Sequence, residues 1–264
     1  VDGAGVHLVR VLGNQTTKDF DPFLMLYSFD SRNPDDYIKG FPFHPHRGID
    51  TITYLVSGEM EHGDSLGNKG RITSGEAQWM TAGSGIMHEE MPLASDRMLG
   101  LQIWLNLPQK EKVAPPAYFD VSRDMIGVKE LDHGVLRVIS GEYHGVKGAT
   151  PPHHYAVLYD ITLEAGHELT LETKQNDNLF VFLLEGKAII DSQQIQEKTA
   201  VLFDMDGDHI TIQADPVNEL RFVYFAAEKL KEQIAWGGPI VMNTKDELNE
   251  AFRELQDGTF VKHP

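Results

Sequence analysis

Phe43-His44-Pro45-His46-Arg47-Gly48 is answered downstream by Gly85-Ile86-Met87-His88-Glu89-Glu90. Two His one residue apart on extended chain point the same way, because side chains alternate along a strand. Pro45 fixes its own φ and pushes His44 toward extended geometry, so the pair has little freedom left to lose. His88 and Glu90 repeat the spacing after the Gly-rich approach Ala82-Gly83-Ser84-Gly85, with Glu89 out of phase between them. Three imidazoles and one carboxylate, brought to one point by two strands, make a donor set for a first-row transition metal. The stretch therefore calls for strands, and for a scaffold that lays two of them side by side.

The surrounding sequence supplies them. Val6 to Leu12 reads as a first strand ended by Gly13-Asn14. Phe20 to Phe29 contains Pro22 and reads as a loop with a short strand. From Ile49 to Val56, Ile52, Tyr54 and Val56 share one face, and Thr51, Thr53 and Leu55 the other. Glu59 to Leu66 follows, then Gly67-Asn68-Lys69-Gly70, residues that tolerate the positive φ of a hairpin turn. Ala77 to Thr81 is another strand. Leu99, Leu101, Ile103, Leu105 and Leu107 alternate strictly with Gly100, Gln102, Trp104 and Asn106, up to Pro108. Short strands at roughly ten-residue spacing with Gly turns argue for a sandwich or barrel. Lys110 to Pro116, charged and then Pro-rich, reads as a linker or crossover.

The second half echoes the first. Tyr155 to Leu163, Leu179 to Leu184, Ala188 to Ile190, Thr199 to Phe203, His209 to Ile212 and Leu220 to Ala226 keep the short-strand rhythm. Leu184-Glu185-Gly186-Lys187 matches Val56-Ser57-Gly58-Glu59 in character. The expectation is an all-β chain of two tandem barrels, residues 1–130 and 131–264. The end departs from the pattern: Thr244-Lys245-Asp246-Glu247 is a capping box, Leu248, Ala251, Phe252 and Leu255 fall at helical spacing, and Asp257-Gly258 stops the helix. That helix is assigned with the second barrel.

Composition narrows the chemistry. The 264 residues contain no Cys, which removes disulfides, thiolate metal sites and Cys nucleophiles, so any metal sits on His and carboxylates. The net charge of −17 repels phosphate backbones and argues against nucleic acid as a partner. No run approaches the ~18 apolar residues of a membrane span, and Val1 to Gly5 has no secretory pattern; a cytoplasmic protein is expected. Of the twelve His, His7, His133, His144, His167, His209 and His263 are read as structural and His153-His154 as a loop feature. His62 is read as a group behind the metal ligands.

His44-Pro45-His46-Arg47-Gly48, Gly58, and Gln78-Trp79-Met80-Thr81-Ala82-Gly83-x-Gly85-Ile86-x-His88-x-Glu90-Met91-Pro92 resemble the pirin family of the cupin superfamily. So do Asp21-Pro22-Phe23-Leu24-Met25, Gly100 to Leu107, and Gly238 to Thr244. The resemblance covers essentially the whole chain. It implies a bicupin, two jelly-roll-like barrels with a C-terminal helix. It implies one divalent metal on His44, His46, His88 and Glu90 in the first barrel, and a metal-free second barrel. Thr173-Lys174-Gln175, where a second His pair would fall, agrees with the latter. Asp50, where many cupins place a ligand, is expected behind the ligands, with Gln102 and Trp104. Four donors leave one or two open positions, which chemistry needs.

Fe(II) is the expected metal, with Zn, Mn, Ni or Cu as alternatives. Some pirins resemble quercetinases, which implies a dioxygenase that cleaves a flavonol-like aromatic substrate with O2, Glu90 taking the substrate proton. The other implied reading is a metal-containing regulator that binds a protein partner without turnover. A monomer is expected, because two barrels in one chain already satisfy each other.

Overall fold

The computed structural model describes residues 1–204 and 206–263. The chain divides into two compact units: Val1–Asp19, Phe23–Arg123 and Leu230–Pro264 form the first, Phe20–Pro22 and Asp124–Lys229 the second.

The first unit contains β1 (Val9–Leu12), β2 (Phe23–Ser31), β3 (Phe41–His46), β4 (Ile49–Ser57), β5 (Glu59–Asp64), β6 (Lys69–Thr73), β7 (Ala77–Thr81), β8 (Ile86–Pro92), β9 (Met98–Asn106) and β10 (Ala117–Val121). They form a six-stranded sheet, β1-β2-β9-β4-β7-β10, and a four-stranded sheet, β3-β8-β5-β6. All these pairings are antiparallel. Strand β9 is flanked on both edges and buried along its whole length. Its alternation therefore separates two interior faces, with Gln102 and Trp104 on one and Leu101, Ile103 and Leu105 on the other.

Two local expectations change. Strand β2 starts immediately after Pro22 and runs nine residues between β1 and β9. Pro22 lies outside the ladder, where its missing N–H costs the sheet nothing, so the segment is a full strand. Strand β10 returns to pair with β7, Phe119 opposite Trp79. Lys110 to Pro116 is thus a connection inside the first unit. Lys112 anchors it: its buried ammonium donates to the Gly48 carbonyl (2.8 Å), Asn106 Oδ1 (2.5 Å) and the Val241 carbonyl (2.9 Å).

The second unit repeats the plan. Its strands are β11 (Gly127–Leu131), β12 (Gly134–Ser140), β13 (Glu142–Tyr143), β14 (Val146–Lys147), β15 (Ala156–Leu163), β16 (Glu168–Glu172), β17 (Asp177–Glu185), β18 (Ala188–Ile190), β19 (Gln193–Ile195), β20 (Ala200–Leu202), β21 (His209–Ala214) and β22 (Leu220–Glu228). A six-stranded sheet, β11-β12-β15-β22-β17-β20, accompanies a four-stranded one, β16-β21-β18-β19. Leu136, Ile161, Val181, Leu183, Ile212 and Phe222 lie in its core. Each such side chain contributes roughly 1.5–3 kcal/mol by leaving water.

The C-terminal segment, β23 (Ala235–Gly237), β24 (Ile240–Met242) and α1 (Lys245–Asp257), belongs to the first unit, not to the second as the sequence reading assigned it. The helix has the expected capping box between Thr244 and Glu247, and Gly258 closes it at φ 71°. Ala251 packs with Ile240, Met242 and Phe260. Ile240 bridges in parallel to Arg47, and the Val241 N–H donates to the Arg47 carbonyl at 3.1 Å. This explains Gly48, whose φ is 78°: a Cβ there would meet the Val241 carbonyl oxygen at 2.0 Å. Among the described residues no helix is long and apolar enough to cross a membrane.

Candidate metal centre

Strands β3 and β8 pair so that His44 stands directly opposite His88. His46 is two residues on and shares the face. The three ring centroids lie 4.4 Å (His44–His88), 4.8 Å (His44–His46) and 5.0 Å (His46–His88) apart. One nitrogen from each comes within 4.8 Å of the others. His44 Nδ1 lies 2.9 Å from the Pro42 carbonyl and His46 Nδ1 3.1 Å from the Pro239 carbonyl. A carbonyl only accepts, so each Nδ1 carries the proton and each Nε2 keeps its lone pair.

His88 is fully buried, and neither of its ring nitrogens has a protein partner. An orphaned buried imidazole costs free energy unless something meets it. Burial, and then the neighbouring imidazoles, hold His46 and His88 well below the usual histidine range. Both rings are neutral, the form that ligates. The donor set and the orphaned His88 fit a transition-metal ion.

Glu90 lies two residues beyond His88 on the same buried face of β8. It pairs with Phe41 across β3–β8, beyond a register shift between Phe41 and His44, and with His62 across β5–β8. Its oxygens are not part of the close group of imidazole nitrogens. Instead Thr53 Oγ1 donates to Oε1 at 2.6 Å and Gln102 Nε2 to Oε2 at 2.5 Å.

Residues 5–105 match the Pirin family and residues 158–261 match the Pirin C-terminal cupin domain. The chain belongs to the pirin family. It is 38% identical, over 98% of its own length and 94% of the relative's, to a Pseudomonas aeruginosa protein named provisionally as a quercetin 2,3-dioxygenase. A pirin-like protein of Caulobacter vibrioides is 39% identical over 98% of this chain and 94% of its own. The crystal structure of a quercetin 2,3-dioxygenase from Acinetobacter baumannii superposes with a TM-score of 0.92 at 31% identity, over 100% of this chain and 95% of that one. Both barrels are thus of the cupin type expected for a pirin.

Beside the imidazoles of this pirin opens a cavity of about 900 Å3, lined by His44, His46, Gln102, Trp104, Tyr27 and Trp236 among others. That volume lies within the ~300–1,000 Å3 of small-molecule sites. His88 and Glu90 lie behind this surface. Trp104 stands edge-on to His46, centroids 5.0 Å apart, and tilted against Trp236 at 5.7 Å. It is both a core aromatic and a cavity wall. Asp50 Oδ2 accepts from Trp79 Nε1 at 2.9 Å and is fully buried, so it fixes a core Trp. His62 Nε2 lies 3.2 Å from Asp120 Oδ1, and its ring packs on Tyr118.

Sequence reasoning did not single out Thr53, Tyr27, Arg10 or Trp236 for the site. Thr53 had a faint signal, a hydroxyl that shares one face of β4 with Thr51. Tyr27 donates to Asp2 Oδ2 at 2.5 Å and accepts from Arg10 on the cavity wall. Burial and Asp2 push its phenol up to about 12, so it stays neutral. In the second unit, His133 and His167 meet Glu164 at the surface. Their rings stack 3.5 Å apart at 12°, which leaves the two in-plane lone pairs parallel and aimed at no common ion.

Proposed function

We propose that this pirin is a metal-dependent dioxygenase acting on a flavonol-like aromatic substrate, with His44, His46 and His88 holding the metal and Glu90 beside them. The observation that carries this reading is the roomy cavity lined by His44 and His46 together with aromatic walls. A regulator whose metal merely tunes a surface needs no such space. A divalent ion there, Fe(II) in this reading, supplies a redox-active Lewis acid for dioxygen chemistry.

The chain's own residues do the rest. Trp104 and Trp236 offer faces and edges for a planar aromatic and exclude water from around it. His44 and His46 are oriented by the Pro42 and Pro239 carbonyls, so the ligand nitrogens are preorganised. Glu90 accepts the proton of the substrate hydroxyl at Oε2, the oxygen that Gln102 holds; Thr53 keeps the other oxygen in place. Gln102 reaches both the cavity and Glu90, and so links substrate to base.

The test is oxygen uptake by anaerobically Fe(II)-loaded protein given quercetin, with His44→Ala alongside. Uptake that disappears in the variant supports the dioxygenase. Absence of uptake in protein shown to hold iron would shift the assignment to the protein-binding regulator.

A further inference from the structure

Four residues of the first unit form one row. In the six-stranded sheet Arg10 pairs with Tyr27, Tyr27 with Gln102, and Gln102 with Thr53. Residues that stand opposite each other share a face, so the row crosses β1, β2, β9 and β4 on one side of the sheet. Its Thr53 end holds Glu90. Gln102, Tyr27 and Arg10 line the large cavity. Neighbouring strands lie ~4.8 Å apart, which puts the Arg10 backbone about 10 Å from that of Gln102. The row therefore carries polar groups to two separate points of the cavity wall: Gln102, bonded to Glu90, and Arg10.

Arg10 is held in place. Its Nη2 donates to Tyr27 Oη and lies 3.4 Å from Asp2 Oδ2. Tyr27 Oη in turn donates to the same Asp2 oxygen at 2.5 Å, and the guanidinium carbon lies 5.1 Å from the centre of the Tyr27 ring. These bonds occupy one nitrogen. Nε and Nη1 have no partner among the described residues, so a positioned fork still has donors to give. Asp2 offsets the charge, which disfavours a second carboxylate at this point. The Arg10 stem passes Gly13, and the next residues, Asn14 and Gln15, add uncharged amides to the wall. Fixed donors beside amides that both donate and accept suit a neutral hydroxyl.

Building on the reading of this cavity as a flavonol site, on which it rests, we infer that Arg10 is a specificity residue: it receives a hydroxyl on a substrate ring remote from the metal. A planar polyphenol whose metal-facing hydroxyl sits at Gln102 and Glu90 extends its outer rings along the row. A hydroxyl that meets the guanidinium there makes a charge-assisted hydrogen bond, the stronger kind. The site thus selects polyhydroxylated aromatics over those that carry the metal-facing hydroxyl alone.

The probes are quercetin and 3-hydroxyflavone, which keeps the metal-facing hydroxyl and lacks the others. Both are titrated into Fe(II)-loaded protein without oxygen, so that affinity is read by tryptophan fluorescence with no turnover. The parent should prefer quercetin by at least about tenfold, and Arg10→Leu should cut that preference to about twofold. Arg10 is exposed on an edge strand, so the substitution leaves the core alone. Two ligands against two proteins form a cycle that isolates the contact. Equal affinities in the parent, or a preference that survives in Arg10→Leu, would overturn the role of Arg10 and leave the reading of the cavity standing. Binding of neither compound by iron-loaded parent would overturn that reading and this assignment with it.

Discussion

Gln102 Nε2 lies 2.5 Å from Glu90 Oε2, and that single bond joins the wall of the cavity to a carboxylate with almost no exposure. Glu90 is bounded by Thr53 on its other oxygen. Removing the amide frees one oxygen to rotate away from the geometry the site has built. Gln102→Leu should retain the fold and reduce metal affinity or turnover by about 10–100-fold, the usual cost of losing a partner behind a ligand. Metal content by elemental analysis and oxygen uptake, measured on the same sample, check this. Full metal and full uptake would show that Glu90 needs no such support.

His88 gives a sharper test, because metal-free protein bears its cost. Two unpartnered nitrogens in a fully buried ring are each a desolvation penalty of about 1–3 kcal/mol. His88→Leu should therefore leave the metal-free melting temperature unchanged or higher. The same variant should lose the upward shift that added Fe(II) or Ni(II) produces in the parent, since only a ligand that binds the native state stabilises it. A metal-induced shift that survives the substitution would remove His88 from the site.

How much of this was legible in the sequence depends on range. Alternation is local, so the strands carrying His44, His46, His88 and Gln102 could be assigned from residue types alone. The helix signals at Thr244, Glu247 and Gly258 are local too, and hold. What packs against α1 is not local. Its place in the first unit is set by Arg47 and by the β24 strand bridging beside it, and no spacing in the sequence announces that pairing. Pro22 misled for a related reason: a proline next to a strand and a proline within one look alike until the ladder is known. Trp236 reaches the cavity from β23 together with Gly238 and Pro239, far along the chain from the other wall residues, and carries no motif of its own. Glu90 shares the buried face of β8 with His88, as period-two counting places it, but its bonds to Thr53 and Gln102 cross from one sheet to the other, and no local spacing announces them.

Arg47, the residue after His46, reaches α1. Its guanidinium lies 2.6 Å from Glu254, donates to the Phe260 carbonyl at 2.9 Å, and covers the Phe260 ring. Burial alone would raise the Glu254 carboxyl; hydrogen bonds from Lys262 and Arg47 outweigh it and hold the group below its ordinary 4.5. A depressed acid contributes stability above its unfolded pKa and loses it as pH falls through the folded value. Glu254→Gln should therefore destabilise the protein near neutrality by about 1–3 kcal/mol, and the gap from the parent should close on acidification below about pH 4.5. Denaturant titrations at pH 7 and pH 4 measure it. A gap that is constant in pH would mean that the carboxylate charge contributes nothing.

Lys112 predicts a slope of the same sign on the alkaline side. Burial takes its ammonium from 10.5 down to about 7, against the partial compensation of Glu232 and Glu247. Deprotonation leaves two N–H groups for three acceptors, the Gly48 and Val241 carbonyls and Asn106 Oδ1. That lost bond costs about 1 kcal/mol, less than the burial of a charge that it relieves. The unfolded chain then holds the proton more tightly than the folded one between about pH 7 and 10.5, and stability rises with pH across that window by up to ~1.4 kcal/mol per unit from this group. Lys112→Met should be less stable at pH 7, where three acceptors lose their donor, and should lack the rise. The comparison belongs between pH 7 and 9, below the range in which exposed tyrosines ionise. Parallel stability curves for parent and variant would show that Lys112 keeps its proton throughout, and that the three acceptors, rather than burial, govern the group.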